Sequence, residues 1–122
     1  MTNIPINQTL ADGLEKIVGE KLSSVEFVMD YVQFRFSGPV LSAFTQPTVT
    51  RGHETKTWGE AGYADALCKQ IGRRVERTAV NDEHVSIAYE NGTLVLISLR
   101  DDDYRGPEAL KFSLDKDHVW VV

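Results

Sequence analysis

The chain has little that identifies a function directly. Its 122 residues include one cysteine, Cys68, which cannot form an intramolecular disulfide and suits a reducing compartment. The first eight residues lack the basic and apolar regions of a signal peptide, and no apolar run reaches the length of a membrane span. The sequence therefore predicts a soluble cytoplasmic protein that does not bind a membrane.

A concentrated basic surface is also absent from the sequence. The chain has 13 Lys and Arg residues against 18 Asp and Glu residues, for a net charge of −5. Nucleic-acid-binding proteins need a positive face that displaces counterions, and the one basic cluster, Arg73, Arg74 and Arg77, is expected to be a solvated strand face. We therefore expect no nucleic-acid partner, whereas a basic protein would be attracted.

Catalytic and cofactor motifs are missing as well. The sequence contains no Gly-rich phosphate loop, no His-Glu-x-x-His, no Cys-x-x-Cys pair and no nucleophile elbow. Cys68 lies on an amphipathic segment, so it is expected to be a small apolar packing residue and not a nucleophile. The spacing of His53, His84 and His118 matches no known set of metal ligands. We expect a protein without enzymatic activity, metal or cofactor.

What the sequence does contain is an internal repeat. Segments 10–19 and 63–72 share five identical residues at a shift of 53, and each has an early aspartate, an apolar stripe and a final glycine. These features are typical of a short helix that packs on a sheet. Comparable apolar alternation follows each segment, so 10–44 and 63–97 are predicted to be two α-β-β-β units related by a pseudo-two-fold axis. The expected fold is a single α+β domain, residues 1–122, with mostly antiparallel sheet and two packed helices.

Local signals add detail to this prediction. Thr9 is predicted to cap the first helix, and Pro5 is expected to prevent an earlier start. The second helix is expected to bury an apolar stripe that ends at Ile71. Asn91-Gly92 predicts a two-residue type I′ hairpin turn, in which both residues take a positive φ.

Two stretches differ between the halves, and the first is a run of three aspartates, Asp101–Asp103, which we call the acidic run. Three adjacent aspartates repel one another, so they must lie in water or against cations. Tyr104 and Arg105 follow the run, and both residue types are common at protein interfaces. A solvated turn between strands explains the run equally simply. The candidate partner-binding residues are Asp101, Asp102, Asp103, Tyr104 and Glu108.

The second such stretch is segment 45–62, which reads as the longest irregular part of the chain, with a short strand around 48–51. Long loops in small domains are often functional, although this one could simply connect the halves. If segment 45–62 is functional, we expect it to border a pocket between the two halves, and that pocket would bind a small molecule or catalyse a reaction. The candidate pocket residues are His53, Glu54, Trp58 and Glu60.

Three short patterns carry a resemblance. The helix that ends in glycine and runs into a strand at 14–22, its second copy at 63–75, and Gly106-Pro107-Glu108-Ala109 resemble a group of small bacterial proteins. Some of these are encoded beside polymorphic or contact-dependent toxins and are regarded as immunity proteins. The resemblance implies a protein-binding domain that neutralises a cognate toxin, and the acidic charge implies a basic partner. A homodimer formed through exposed sheet edges is the remaining alternative.

Overall fold

Two short helices and ten strands make up the part of the chain that the computed structural model describes, residues 6–122 with side chains from Thr9 onward. The strands form two antiparallel five-stranded sheets, so the predicted α+β class is confirmed. One hydrophobic cluster joins core-facing residues of both sheets and both helices. The elements are α1 (Ile6–Leu14), β1 (Ser24–Val28), β2 (Tyr31–Arg35), β3 (Val40–Ala43), β4 (Thr48–Arg51), β5 (Glu54–Lys56), α2 (Tyr63–Cys68), β6 (Val75–Val80), β7 (His84–Tyr89), β8 (Leu94–Ser98), β9 (Leu110–Asp115) and β10 (His118–Val121).

Each sheet combines strands from both halves of the chain. Sheet one has the order β1-β2-β3-β9-β10, and sheet two has the order β5-β4-β8-β7-β6. The three predicted strands of each α-β-β-β unit therefore form a meander in each half. A hairpin follows each meander, and the sequence did not predict that this hairpin belongs to the repeat. That hairpin leaves its own half and extends the meander of the other half, because β9 pairs with β3 and β4 pairs with β8.

Backbone hydrogen bonds at the ends of the helical segments show the pseudo-two-fold symmetry directly. The N–H of Gly19 donates to the carbonyl of Val75 at 2.8 Å, and the N–H of Gly72 donates to the carbonyl of Leu22 at 2.8 Å. These are the same bond at a shift of 53. Both glycines have a φ of 88°, which non-glycine residues rarely adopt, so each helical segment leads into its strand through a left-handed glycine.

The axis itself passes between two basic residues. Lys21 and Arg74 occupy the same position in the two halves and face each other in an isolated antiparallel bridge. A residue can pair with its own equivalent only on a two-fold axis, so this bridge locates the axis at the junction of the two meanders.

The strand register makes the two sheets comparable position by position. Phe34 and Ile87 are equivalent at the shift of 53, and each belongs to a core-facing row that crosses all five strands. In sheet one the row runs Val25, Phe34, Leu41, Phe112 and Trp120, and in sheet two it runs Thr78, Ile87, Val95, Val49 and Lys56.

Several local predictions are wrong. Helix α1 begins at Ile6, so Thr9 lies inside it and does not cap it. Pro5 itself lies outside the described residues, but the helix is already present at Ile6, earlier than the sequence predicted. Ile71 is 45% exposed because the helix ends before it. Asn91 has no positive φ, and only Gly92 does, so the turn is not type I′.

Segment 45–62 is also more regular than predicted. Strand β4 matches the expected short strand, and β5 returns beside it as a hairpin, with Thr50 Oγ1 and Thr55 Oγ1 2.8 Å apart.

No helix within the described range 6–122 is long and apolar enough to cross a bilayer.

Candidate functional site

The two halves differ most in the link between the third strand and the exchanged hairpin. In the first half, four residues, 44–47, connect β3 to β4. In the second half, eleven residues, 99–109, connect β8 to β9, and they include a 3-10 turn at Asp101–Asp103. The extra length breaks the two-fold symmetry, and the acidic run lies within it.

This longer link forms one wall of an open cleft of about 700 Å³, which we call the acidic-turn cleft. Asp102, Asp103 and Tyr104 line the cleft on that side, together with Arg100 and Arg105 of the same link. Trp58 lines it from the segment between β5 and α2, and Leu96 lines it from β8. The structure therefore brings together the acidic run and Trp58, which the sequence had assigned to two alternative sites.

Asp103 holds the acidic turn in place. Its Oδ2 accepts a hydrogen bond from Ser98 Oγ at 2.5 Å, and the same hydroxyl oxygen accepts the backbone N–H of Arg100 at 3.1 Å. The carboxylates of Asp101 and Asp102 are exposed and form no hydrogen bond or ion pair with any residue in the described range. One aspartate is thus structural, and two are available to a partner.

Trp58 is fixed in an aromatic cluster at the edge of sheet one. Its ring centroid lies 6.3 Å from that of Phe27 and 5.8 Å from that of Tyr63. The Tyr63 hydroxyl donates to the carbonyl of Pro47 at 2.5 Å, and burial raises the pKa of this phenol. The indole is therefore held by packing while part of it remains in the cleft.

The other predicted site residues are spread over the surface. Glu108 lines a separate groove with Tyr31 and Phe44. His53 lies at the exposed turn between β4 and β5. Glu60 accepts hydrogen bonds from Thr57, which lower the pKa of its carboxyl group, so Glu60 closes its own loop. The four proposed pocket residues are not brought together.

A cleft between the two halves nevertheless exists, and Glu54 is the one predicted residue in it. This cleft, which we call the α2 cleft, has a volume of about 430 Å³ and lies between α2 and the β4–β5 hairpin. Its charged and polar lining includes Arg51, Lys56 and Gln70. None of these three residues was predicted from the sequence, although Gln70 stands in the repeat where the first helical segment has an apolar residue, Ile17.

The equivalent place in the other half is filled. The ring of Trp120 stacks on Phe112 with centroids 5.7 Å apart, and its Nε1 donates to Thr9 Oγ1 at 3.2 Å. A Cβ placed on Gly13 would lie 2.5 Å from the indole, so the ring lies directly on the helix backbone. The α2 cleft is the unfilled counterpart of this packing.

Two buried polar atoms in the wall of the α2 cleft lack partners. Gln70 is 3% exposed, and its Nε2 donates to the carbonyl of Ala66 at 3.1 Å, but its Oε1 has no hydrogen-bond partner in the described structure. Thr93 is 1% exposed, and its Oγ1 likewise has none. Unpaired buried polar groups are costly and rare, so these two call for an explanation beyond stability.

Replacing Gln70→Ile is expected to stabilise the protein by about 1 kcal/mol, because it removes the unpaired oxygen and restores the residue type of Ile17. The gain should appear as a higher urea midpoint with an unchanged slope. Ile17→Gln is the matched control, and it should destabilise, since Ile17 is fully buried. A lower midpoint for Gln70→Ile would show that the amide is needed for stability.

Neither a cluster of metal ligands nor a packed cysteine is found among the described residues. Within residues 6–122, no group of three or more His, Cys, Asp or Glu side chains is placed to hold a metal ion. Cys68 is exposed, contrary to the expected packing role, because it lies on the outer face of α2.

Comparisons with protein-family models, with curated proteins and with solved structures found no match to this chain.

Proposed function

We propose that this chain is a non-enzymatic protein-binding domain that recognises a basic partner through the acidic-turn cleft. One observation carries the proposal. The link that breaks the two-fold symmetry places the unpaired carboxylate of Asp102 in one cleft with Trp58 and Tyr104, and the exposed carboxylate of Asp101 precedes it in the same 3-10 turn. A link that only connects two strands would not need this length, since the other half connects the equivalent pair of strands, β3 and β4, with four residues.

The exposed carboxylates and the packed ring of Trp58 both favour a macromolecular partner at this surface. Unpaired carboxylates at the rim of an interface speed encounter with a basic protein and fix its orientation. Rigid aromatic rings next to them provide the contact area that anchors interfaces. Trp58 is held by two other rings, so little conformational entropy is lost when a partner covers it.

The resemblance to bacterial immunity proteins makes the proposal more specific. In that reading the chain acts in the bacterial cytoplasm, where it covers the active site or an adjacent surface of a cognate toxin. A basic toxin such as a nuclease would match the net charge of −5 and the exposed acidic turn.

Changing Asp101→Asn together with Asp102→Asn is expected to weaken binding of a basic toxin encoded beside this gene by roughly tenfold or more. Most of the loss should be in the association rate, and the dependence of affinity on salt should decrease with it. Asp103 is left unchanged because it holds the turn. Surface plasmon resonance at two salt concentrations provides both readouts.

The matched control changes Asp12→Asn and Asp117→Asn, which removes the same charge from exposed aspartates on α1 and on the β9–β10 turn. This variant should bind like the wild type. If the control and the acidic-turn variant lose affinity equally, the interaction depends on net charge alone, and the acidic-turn cleft is not the binding surface. Unchanged affinity in both variants would reject the proposal as well.

A further inference from the structure

The α2 cleft can be compared side chain by side chain with its filled counterpart. Val49 and Phe112 are equivalent in the core-facing rows, so their cross-strand neighbours Lys56 and Trp120 are equivalent too. Arg51 lies two residues after Val49 in β4, and Leu114 lies two residues after Phe112 in β9, so Arg51 and Leu114 are equivalent as well. Three apolar side chains are thus replaced by polar ones around the cleft: Trp120 by Lys56, Leu114 by Arg51, and Ile17 by Gln70.

The charges around the α2 cleft leave one cation without a partner. Lys56 Nζ lies 3.3 Å from Glu54 Oε1, and Lys69 Nζ lies 3.1 Å from Asp65 Oδ2. Arg51 forms no ion pair or side-chain hydrogen bond with any residue in the described range. A guanidinium group presents parallel N–H donors whose spacing matches the two oxygens of a carboxylate.

The buried wall of the cleft offers a hydrogen-bond acceptor, whereas Arg51 offers donors. Gln70 Oε1 is an acceptor without a donor, and Thr93 Oγ1 is a hydroxyl without any partner. Val49 and Ala66 contribute apolar surface to the same cleft. Both polar atoms are shielded from solvent, so a ligand reaches Gln70 Oε1 when the amide turns toward the cleft. Such a ligand needs a negative end for Arg51 and a hydrogen-bond donor for Gln70.

From this arrangement we infer that the α2 cleft binds a small hydroxy acid, whose carboxylate and hydroxyl group meet these two requirements. The carboxylate pairs with Arg51, the donor satisfies Gln70 Oε1, and the carbon skeleton lies where the indole of Trp120 lies in the other half. The ligand replaces a core side chain that only one half of the protein retains. This site shares no lining residue with the acidic-turn cleft, so it can be tested independently.

The test compares pairs of acids that differ by one hydroxyl: L-lactate with propionate, L-malate with succinate, and L-phenyllactate with 3-phenylpropionate. Each acid is titrated into the intact 15N-labelled protein while amide shifts are recorded. At least one hydroxy acid is expected to move the amides of Ala66, Gln70 and Thr93 saturably, with its deoxy partner binding at least fivefold more weakly. If no hydroxy acid moves these amides, or both members of every pair bind equally, the inference is overturned.

Two variants locate the site. Arg51→Gln is expected to weaken binding of the active acid at least tenfold, whereas Arg77→Gln, which removes an exposed arginine on β6, should leave it unchanged. Lys56→Trp is expected to place an indole in the cleft and to abolish binding in a folded protein. If the acid binds Arg51→Gln as tightly as the wild type, it does not bind in this cleft, whatever the effect of Lys56→Trp on folding.

Discussion

Cutting the chain between Ala61 and Gly62 is expected to give two fragments that do not fold alone and that assemble into the native structure when mixed. Each fragment would contain a helix, a three-strand meander and a hairpin. The hairpin would have no meander to join, because in the intact protein it pairs with the meander of the other half. An isolated hairpin is marginally stable at best, and the meander would lose the strands that cover its inner edge.

Circular dichroism and amide NMR spectra of each fragment and of an equimolar mixture provide the measurement. The separate fragments should give spectra of disordered chains, and the mixture should recover dispersed amide signals with one-to-one stoichiometry. A fragment that folds as a monomer would contradict the interlocked arrangement. A fragment that folds as a homodimer would agree with it, because a second copy could supply the missing hairpin by the same two-fold symmetry.

Gly13→Ala is expected to destabilise the protein by about 1–3 kcal/mol, although alanine normally stabilises a helix by about 1 kcal/mol relative to glycine. The sign reverses because a Cβ at this position would lie 2.5 Å from the Trp120 ring. The indole cannot easily move away, since it stacks on Phe112 and donates a hydrogen bond to Thr9. Urea denaturation of the single variant measures the loss.

A double-mutant cycle separates the steric clash from the change in helix propensity. In a Trp120→Leu background the clash is gone, so Gly13→Ala should become neutral or stabilising by up to about 1 kcal/mol. If the substitution destabilises both backgrounds equally, the effect comes from the helix and not from the indole. Ala66→Gly at the equivalent position of α2 should cost about 0.5–1 kcal/mol, as for an ordinary helix site.

The position of the acidic run was predicted in part. The sequence placed Asp101–Asp103 in solvent, because three like charges cannot be buried together. It could not place Trp58 beside them, because the two stretches are brought together by the pairing of β4 with β8 and not by anything local. Glu60 also shows this limit, since a carboxylate that closes its own loop reads in sequence like one that lines a pocket.

The α2 cleft was marked in the sequence by a single position of the repeat. The repeat aligned Gln70 with Ile17, which marked one anomalous position. A constant shift of 53 residues does not align Lys56 with Trp120, because the exchanged hairpins follow links of different length. The register of paired strands was needed to align them.

By itself the sequence determined that there are two short helices followed by glycine, the alternating strands and the α+β class, because each of these follows from local periodicity and backbone conformation. The tertiary structure alone decided that the hairpins exchange between halves, that Trp120 fills one helix–sheet junction while the other stays open, and that the acidic turn meets Trp58. These features depend on which strand edges pair across long sequence separations, and local sequence patterns do not determine that pairing.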